Sequence, residues 1–114
     1  MAGFVSGDVV VLPFPFADNS GFKKRPALIV SVFSAKEMIV CAITSQAVRD
    51  DFCVPIIEAD FLDGNIRSDS FIRPNYVFTV RSEIISYRAG ILSPEKMEEV
   101  YQTYLRLLAM KGER

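Results

Sequence analysis

The sequence predicts a small β-barrel or β-sandwich with one amphipathic helix at its C-terminal end. Two observations carry this prediction. Short runs of β-branched and apolar residues alternate with turn residues over the first ninety positions, and a helical stripe of apolar residues follows them. Many short strands at near-regular spacing are typical of all-β barrels and sandwiches.

Each predicted strand is a β-branched or apolar run bounded by turn residues. The runs cover residues 8–12, 27–33, 38–44, 52–57, 70–72, 76–80 and 84–85. The segments that predict turns are Asp18-Asn19-Ser20-Gly21, Asp63-Gly64-Asn65 and Arg88-Ala89-Gly90. Pro13 and Pro15 follow the first run. Because proline cannot donate to a β-ladder, we expect strand pairing to stop there.

The C-terminal segment predicts a single helix. Its apolar stripe consists of Met97, Val100, Tyr101, Tyr104, Leu105 and Leu108. Ser93 suits the N-cap, Pro94 the first helical position and Gly112 the C-terminal end. We expect this helix to cover an opening of the sheet. Packing on the core is the favoured interpretation of the stripe, and a docking surface for another protein is the alternative.

Length and composition limit the classes of protein. We expect the 114 residues to form one domain, and the half that are apolar indicate a packed core. The formal net charge of -1 indicates no general affinity for nucleic acid, so an anion site must be a local patch. Cys41 and Cys53 lack the spacing of a metal site, and we expect both to be buried free thiols. Neither a signal peptide nor a membrane span is visible, and we expect a cytoplasmic location.

The absence of histidine excludes several kinds of catalytic site. Ser-His-Asp hydrolysis, Cys-His proteolysis and two-histidine ribonuclease chemistry all need that side chain, and the sequence contains none. Zinc sites lack their usual ligands, and no glycine-rich phosphate loop occurs. The carboxylates at positions 50–51 and 60–63 do not resemble a metal-binding loop, and turn chemistry explains both groups.

Three polar elements remain as candidates for a functional site. In Lys23-Lys24-Arg25-Pro26, the proline fixes Arg25 directly before a predicted buried strand, which suits bidentate recognition of a phosphate. A solvated loop tip explains this charge run equally well. The strand end Ala42-Ile43-Thr44-Ser45-Gln46 carries three hydrogen-bonding side chains, for which an ordinary polar strand end is the simpler interpretation. The third element is a set of scattered arginines whose convergence the sequence leaves open: Arg49, Arg67, Arg73, Arg81 and Arg88.

Six motifs follow one another along the chain: Gly7-Asp8-Val9-Val10, Pro13-Phe14-Pro15-Phe16, Arg25-Pro26-Ala27-Leu28-Ile29-Val30, Ile43-Thr44-Ser45-Gln46, Ser68-Asp69-Ser70-Phe71-Ile72-Arg73 and Gly90-Ile91-Leu92. In this order they resemble the MazF/PemK family of toxins from toxin–antitoxin systems. The resemblance implies an SH3-like, strongly bent β-barrel that forms a homodimer. It also implies a metal-independent, cofactor-free endoribonuclease that cleaves single-stranded RNA to 2′,3′-cyclic phosphate and 5′-hydroxyl ends. The toxin would inhibit growth, and a cognate antitoxin would prevent this by blocking the RNA groove.

The resemblance also implies roles for individual residues. The family's active arginine and threonine correspond to Arg25 and Thr44. The residues that would bind RNA or support the site are Phe16, Lys23, Lys24, Ser45, Gln46 and Arg73. Some family members carry an acid directly before the arginine, where this chain has Lys24, so Asp18 and Asp69 stand as alternative bases. A non-catalytic SH3-like barrel that binds RNA or a peptide is the alternative function. The segment Phe78-Thr79-Val80-Arg81 favours it, because some family members have an aspartate there and this chain has no carboxylate until Glu83.

Overall fold

A computed structural model describes residues 3–15, 22–46 and 50–114 of the chain. The described residues contain seven strands and one α-helix, with a 3₁₀ turn at Glu58–Asp60 and another at Ser82–Ile84. The strands are β1 (Asp8–Pro15), β2 (Phe22–Val32), β3 (Glu37–Thr44), β4 (Val54–Ile56), β5 (Phe61–Gly64), β6 (Ser70–Arg81) and β7 (Tyr87–Leu92). The helix, α1, runs over Pro94–Leu108.

The strands form one antiparallel sheet in the order β4-β6-β3-β2-β1-β7-β5. The sheet is strongly curled, since Phe14 of β1 packs edge-on against Phe78 of β6 with ring centroids 5.3 Å apart, although two strands lie between them. This curl makes the sheet a half-barrel. The prediction of a mainly β, bent barrel with one C-terminal helix is therefore confirmed.

Side-chain alternation along the strands builds two hydrophobic cores, one on each face of the sheet. One core combines strand residues with α1 and contains Val9, Leu28, Cys41, Ile43, Val54, Ile56, Ile72, Leu92, Met97 and Val100. The other lies inside the curl and contains Val10, Leu12, Ala27, Ile29, Met38 and Val40. Consecutive residues of β1 and β2 thus belong to opposite faces. This alternation decides where the polar residues at the strand ends lie.

The expectation that pairing stops at Pro13 is wrong. Strand β1 continues to Pro15 and pairs with β2 from Val9 to Pro15, with Pro13 opposite Lys24. The reason is the direction of the backbone groups. The carbonyl of Val11 accepts a hydrogen bond from Ser86 N–H at 2.8 Å on the β7 side. Because backbone groups of every second residue point the same way, those of Pro13 and Pro15 also face the β7 side. Strand β7 pairs only as far as Val11, so neither proline interrupts a ladder bond.

Other predicted boundaries also differ from the structure. The cations Lys23, Lys24 and Arg25 belong to β2 and not to a loop. The predicted turns at 63–65 and 88–90 are replaced by the paired strands β5 and β7, whereas the turn at 18–21 lies outside the described residues. The two short runs at 70–72 and 76–80 form the single strand β6, which is interrupted by a bulge. The run at 84–85 is not a strand, and Ile84 ends a 3₁₀ turn.

The helix begins as predicted and ends earlier. The Ser93 hydroxyl accepts a hydrogen bond from Lys96 N–H at 3.2 Å, which confirms the N-cap, and Pro94 is the first helical residue. The helix ends at Leu108, four residues before Gly112. The stripe divides into a buried part and an exposed part, since Tyr101, Leu105 and Leu108 are 40, 65 and 75 % exposed. No helix in the described residues has the length and apolar character needed to cross a membrane.

The two cysteines are free thiols, and they differ in burial. Cys41 is fully buried, as predicted, whereas Cys53 is half-buried. Burial raises the pKa of the Cys41 thiol to about 12, which its neighbour Tyr104 only partly offsets. A thiol with so high a pKa remains protonated near neutral pH and is a poor nucleophile. Cys41 therefore contributes to packing and not to chemistry.

Gly64 should be essential for the closure of the β5–β7 edge. Its φ of +69° lies in the left-handed region, and a Cβ atom there would overlap the carbonyl oxygen of Ala89. We expect Gly64→Ala to lower the free energy of unfolding by about 1–3 kcal/mol. Gly3→Ala is the matched control because a Cβ atom at Gly3 meets nothing within 4 Å. Chemical denaturation measures both variants, and equal stabilities would contradict this account of the edge.

Candidate functional site

The predicted residues Arg25 and Thr44 lie on neighbouring strands, on the same face and at the same end of the sheet. Strands β2 and β3 pair as far as Ala27 opposite Ala42. Arg25 and Thr44 each lie two residues beyond that pair, in strands that continue regularly against β1 and β6. On the far side of β3, Thr44 pairs with Phe71 of β6. Residues that face each other across a ladder share one face of the sheet, and Arg25 and Thr44 are both half-buried there.

We call this surface the Arg25 face and define it by Leu12, Arg25, Thr44 and Arg73. Leu12 pairs with Arg25, and Arg73 pairs with Ala42, which places all four residues on the same side of the sheet by register. The hydroxyl oxygen of Thr44 accepts a hydrogen bond from the backbone N–H of Gln46 at 3.2 Å. This contact orients the hydroxyl and does not use its hydrogen. Thr44 thus keeps a donor for a ligand oxygen at a fixed position on the Arg25 face.

Arg73 is held by two neighbours. Its guanidinium donates to the Asp50 carboxylate at 3.1 Å and stacks on the ring of Tyr76 at 3.8 Å from the centroid. Burial alone would raise the pKa of Asp50, but the backbone N–H groups of Phe52 and Cys53, together with Arg73, bring that pKa below its usual value. Asp50 is therefore a weak proton acceptor, and Arg73 is a rigid positive charge beside Thr44.

A second surface opens on the opposite face of the sheet at the same end of the strands. It is a cleft of about 680 Å³ floored by Val11, Pro26 and Ile43. We call it the basic cleft and define it by six of its polar lining residues, which are Lys24, Ser45, Arg67, Ser68, Tyr87 and Arg88. Arg25 borders it as well. Among the residues that the structure describes, no carboxylate lines the cleft, so its local charge is positive although the chain carries a net charge of -1.

A buried carboxylate positions one of these cations. Asp8 is fully buried and accepts a hydrogen bond from the backbone N–H of Val5 at 3.0 Å, while Nη1 of Arg88 lies 3.9 Å from the same oxygen. A buried charge requires a counter-charge. Asp8 of the opening Gly7-Asp8 motif therefore positions the guanidinium of Arg88, whose side chain is 43 % exposed at the cleft.

The remaining predicted residues are divided between these surfaces or lie outside them. Lys23 pairs with Phe14 on the same side as Arg25, and Lys24 and Ser45 line the basic cleft. Gln46 is exposed and contacts Thr44 through its backbone. Asp69 is exposed between Ser68 and Ser70 and does not line the cleft. Phe16 and Asp18 lie outside the described residues.

Sequence reasoning missed the basic cleft. Among the scattered arginines, Arg67 and Arg88 converge there, whereas Arg73 binds Asp50 and Arg81 binds Glu83 at 2.6 Å. Arg49 lies outside the described residues. The sequence predicts a turn at residues 88–90, where the structure has part of β7. The segment from Tyr87 to Leu92 lacks polar–apolar alternation and contains Gly90, so no local signal marks it as a strand.

Solved structures of toxins share this fold. A mycobacterial endoribonuclease in complex with its cognate antitoxin superposes with a TM-score of 0.73 at 16 % identity, covering 97 % of this chain and 100 % of that one. The MazF protein of Deinococcus radiodurans superposes with a TM-score of 0.72 at 20 % identity, covering 96 % and 100 %. Mycobacterium tuberculosis toxin MazF-mt6 gives 0.70 at 16 % identity, covering 92 % and 99 %. A comparison with curated proteins finds no match.

Fold and site together define a small β-barrel with a cationic strand end, of the class found in MazF toxins. The family model for PemK-like, MazF-like toxins of type II toxin–antitoxin systems matches residues 6–108. Because this match covers nearly the whole chain, the protein belongs to that family. The resemblance inferred from the motifs is thereby confirmed.

The Asp50–Arg73 pair should stabilise the fold in a pH-dependent way. We expect Asp50→Asn to lower the free energy of unfolding by about 1–2 kcal/mol at pH 7, because the carboxylate caps two backbone N–H groups and pairs with Arg73. The folded pKa of Asp50 is depressed below the model-compound value of 3.8, so this contribution is present above that pH and is lost as pH falls through the folded pKa.

Denaturation curves at pH 7, 5 and 3 measure this difference. The stabilities of the wild type and Asp50→Asn should differ equally at pH 7 and 5, and the difference should be smaller at pH 3, as the pH falls towards the folded pKa. Asp51→Asn is the matched control, because the neighbouring Asp51 is exposed and contributes only its backbone carbonyl to a hydrogen bond, with Arg106. A gap between wild type and Asp50→Asn that widens on acidification would contradict the assignment.

Proposed function

We propose that this protein is a metal-independent endoribonuclease that cleaves single-stranded RNA and acts as the toxin of a toxin–antitoxin pair. Family membership supports the class of activity. The single observation that supports the mechanism is the strand register, by which Arg25 and Thr44 share one sheet face at the same strand end. The products would be a 2′,3′-cyclic phosphate and a 5′-hydroxyl, formed when the 2′-oxygen attacks phosphorus and the 5′-oxygen leaves.

Arg25 suits the charge that develops in this reaction. Negative charge grows on the non-bridging oxygens as the fifth bond to phosphorus forms, and a guanidinium donates two parallel N–H groups to such oxygens. The half-buried position in β2 restricts the side chain before the substrate binds. Thr44 donates its hydroxyl hydrogen to a phosphate oxygen or orients the 2′-hydroxyl. Preorganised donors of this kind contribute about 10²–10³-fold in rate each.

Proton transfer in this mechanism depends little on the paired carboxylates. Asp50 is bound to Arg73, and the hydrogen bond and charge of Arg81 lower the pKa of the fully exposed Glu83. Both are weak bases as a result. Asp69 and Asp18 stay as predicted bases. Without a strong base, positioning and charge stabilisation supply most of the rate acceleration, and the enzyme is a slow one.

Removal of the guanidinium tests the mechanism. In EDTA, the purified protein should cleave a single-stranded RNA, and Arg25→Ala should lower kcat/KM by at least about 10²-fold because the phosphorane charge loses its donor. Thr44→Val should lower it by a smaller factor, and Arg114→Ala, at the exposed C-terminus, should match the wild type. Mass spectrometry of the fragments identifies the ends. Cleavage that requires magnesium would contradict the proposal, and binding without cleavage would favour the non-catalytic barrel.

The proposed dimer uses the outer edge of β6. Tyr76, Val77 and Phe78 are 47, 49 and 42 % exposed. Strand β4 pairs with β6 only at residues 70–72, so the edge beyond it has no strand partner among the described residues. An unpaired apolar edge is a template for another strand. A second copy of this chain satisfies it with the same edge, as closed two-fold symmetry requires.

Charge placed on this edge should dissociate the dimer. Val77→Glu should shift the mass from twice 12.8 kDa to 12.8 kDa in analytical ultracentrifugation at micromolar protein, because a desolvated carboxylate opposes strand pairing. Leu105→Glu is the matched control, since Leu105 is 65 % exposed on α1. If Leu105→Glu alone dissociates the dimer, the interface lies on the helix and the β6 assignment is wrong.

The proposed antitoxin is a protein with an acidic segment that covers the cationic strand end. The structural relatives include a toxin in complex with its cognate antitoxin and a MazE-MazF complex of Deinococcus radiodurans. Lys23, Lys24 and Arg25 would attract carboxylates as they attract phosphates. Such a segment would compete directly with RNA.

A further inference from the structure

The Arg25 face and the basic cleft meet along one end of the sheet. Consecutive strand residues point to opposite faces, so Arg25 and Thr44 belong to one surface and their neighbours Lys24 and Ser45 to the other. Adjacent Cα atoms are only about 3.8 Å apart. An RNA strand that presents a phosphate to Arg25 therefore has its neighbouring nucleotides within reach of the cleft across the strand end.

The charges of the cleft suit a phosphate. Lys24, Arg67 and Arg88 line it, and no carboxylate among the described residues does so. Arg88 is anchored by buried Asp8 at 3.9 Å, and Arg67 is exposed with its guanidinium available at the rim. Fixed cations on a chain with a net charge of -1 concentrate the positive potential at this one place.

An aromatic ring distinguishes the cleft from a simple anion site. Tyr87 is 56 % exposed and lies in the lining beside Arg88. Ser45, Ser68 and Asn65 add hydroxyl and amide groups to the same wall. Stacking of a base on an aromatic ring, together with cationic contacts to phosphate and polar contacts to base edges or the 2′-hydroxyl, is how proteins bind single-stranded RNA. An acidic peptide would use the cations but not the ring.

We propose that the basic cleft binds one nucleotide of the RNA substrate next to the cleaved linkage, with its base stacked on Tyr87 and its phosphate on Arg67 and Arg88. This inference rests on the proposed ribonuclease function and extends it to substrate selection. The cleft binds the substrate equally well in the ground state and in the transition state. It therefore affects KM and the preferred RNA sequence, whereas kcat depends on the Arg25 face.

The test uses an RNA oligonucleotide that the protein cleaves and its analogue with a 2′-deoxy nucleotide at the mapped cleavage site. Tyr87→Ala should weaken binding of the analogue by about 5- to 100-fold, as loss of one stacked base does. Tyr87→Phe and Tyr87→Trp should retain the affinity because they keep the ring. The KM for the cleavable RNA should rise in Tyr87→Ala with kcat unchanged, and the preference at one flanking nucleotide should relax.

Salt dependence tests the phosphate contact. Arg67→Ala should reduce the slope of log affinity against log salt by about 0.7, the value for one phosphate on a single strand. Arg88 is left intact because its loss would leave buried Asp8 without its counter-charge. Arg114→Ala removes the same charge outside the cleft and should keep the wild-type slope.

The outcomes separate this inference from the proposed function. If the wild type cleaves RNA and Tyr87→Ala matches it in KM and affinity, the cleft assignment is overturned and the ribonuclease stands. If the wild type cleaves no RNA, the analogue is made with the sequence of an RNA that the protein binds. The same variants then show whether the cleft contributes to that binding. If Arg67→Ala weakens only the binding of an acidic antitoxin peptide, the cleft is a protein-binding site and the inference is wrong.

Discussion

The register of strand β2 between β1 and β3 determines the position of each candidate site residue that this end of the sheet carries. Pairing of Val10 with Ala27 and of Ala27 with Ala42 fixes which residues face the inner core. If β2 shifted by one residue, Arg25 would move to the face that Lys24 now occupies, and Lys24 would move to the face of Arg25. One of these cations would then lie against the apolar side chains of the core. The two cores therefore stabilise not only the fold but also the assignment of Arg25 to one surface and Lys24 to the other.

Carboxylates in this protein are mostly committed to structure, and that commitment shapes the chemistry. Asp8 is buried beneath Arg88, Asp50 caps a turn and holds Arg73, and Glu83 binds Arg81. Each pair lowers the reactivity of its carboxylate and fixes a guanidinium. No carboxylate lines the basic cleft among the described residues, and its lining includes Lys24, Arg67 and Arg88. The positive potential arises from this division and not from the total charge.

The sequence predicts the central strands and the helix start because β-branched runs and a Ser-Pro cap are local signals. It does not predict β5 and β7, since Gly64 and Gly90 sit there for a close approach between two backbones, and glycine in a sequence resembles a turn. Arg25 and Thr44 were identifiable from motif chemistry. The convergence of Arg67, Tyr87 and Arg88 was not identifiable from the sequence, because it depends on which distant strands the curl of the sheet brings together.

A site of this composition constrains how fast RNA can be cleaved. An arginine stays protonated in proteins, so it neither accepts a proton nor readily gives one up, and the Arg25 face contributes charge and geometry. Thr44 is held by the Gln46 N–H and adds a directed hydroxyl. Effective positioning of the 2′-oxygen in line with the leaving oxygen supplies a large part of the barrier reduction without any base. In the proposed mechanism, selective RNA binding therefore matters more than proton transfer, and the Arg25 face and the basic cleft together supply the charges for that binding.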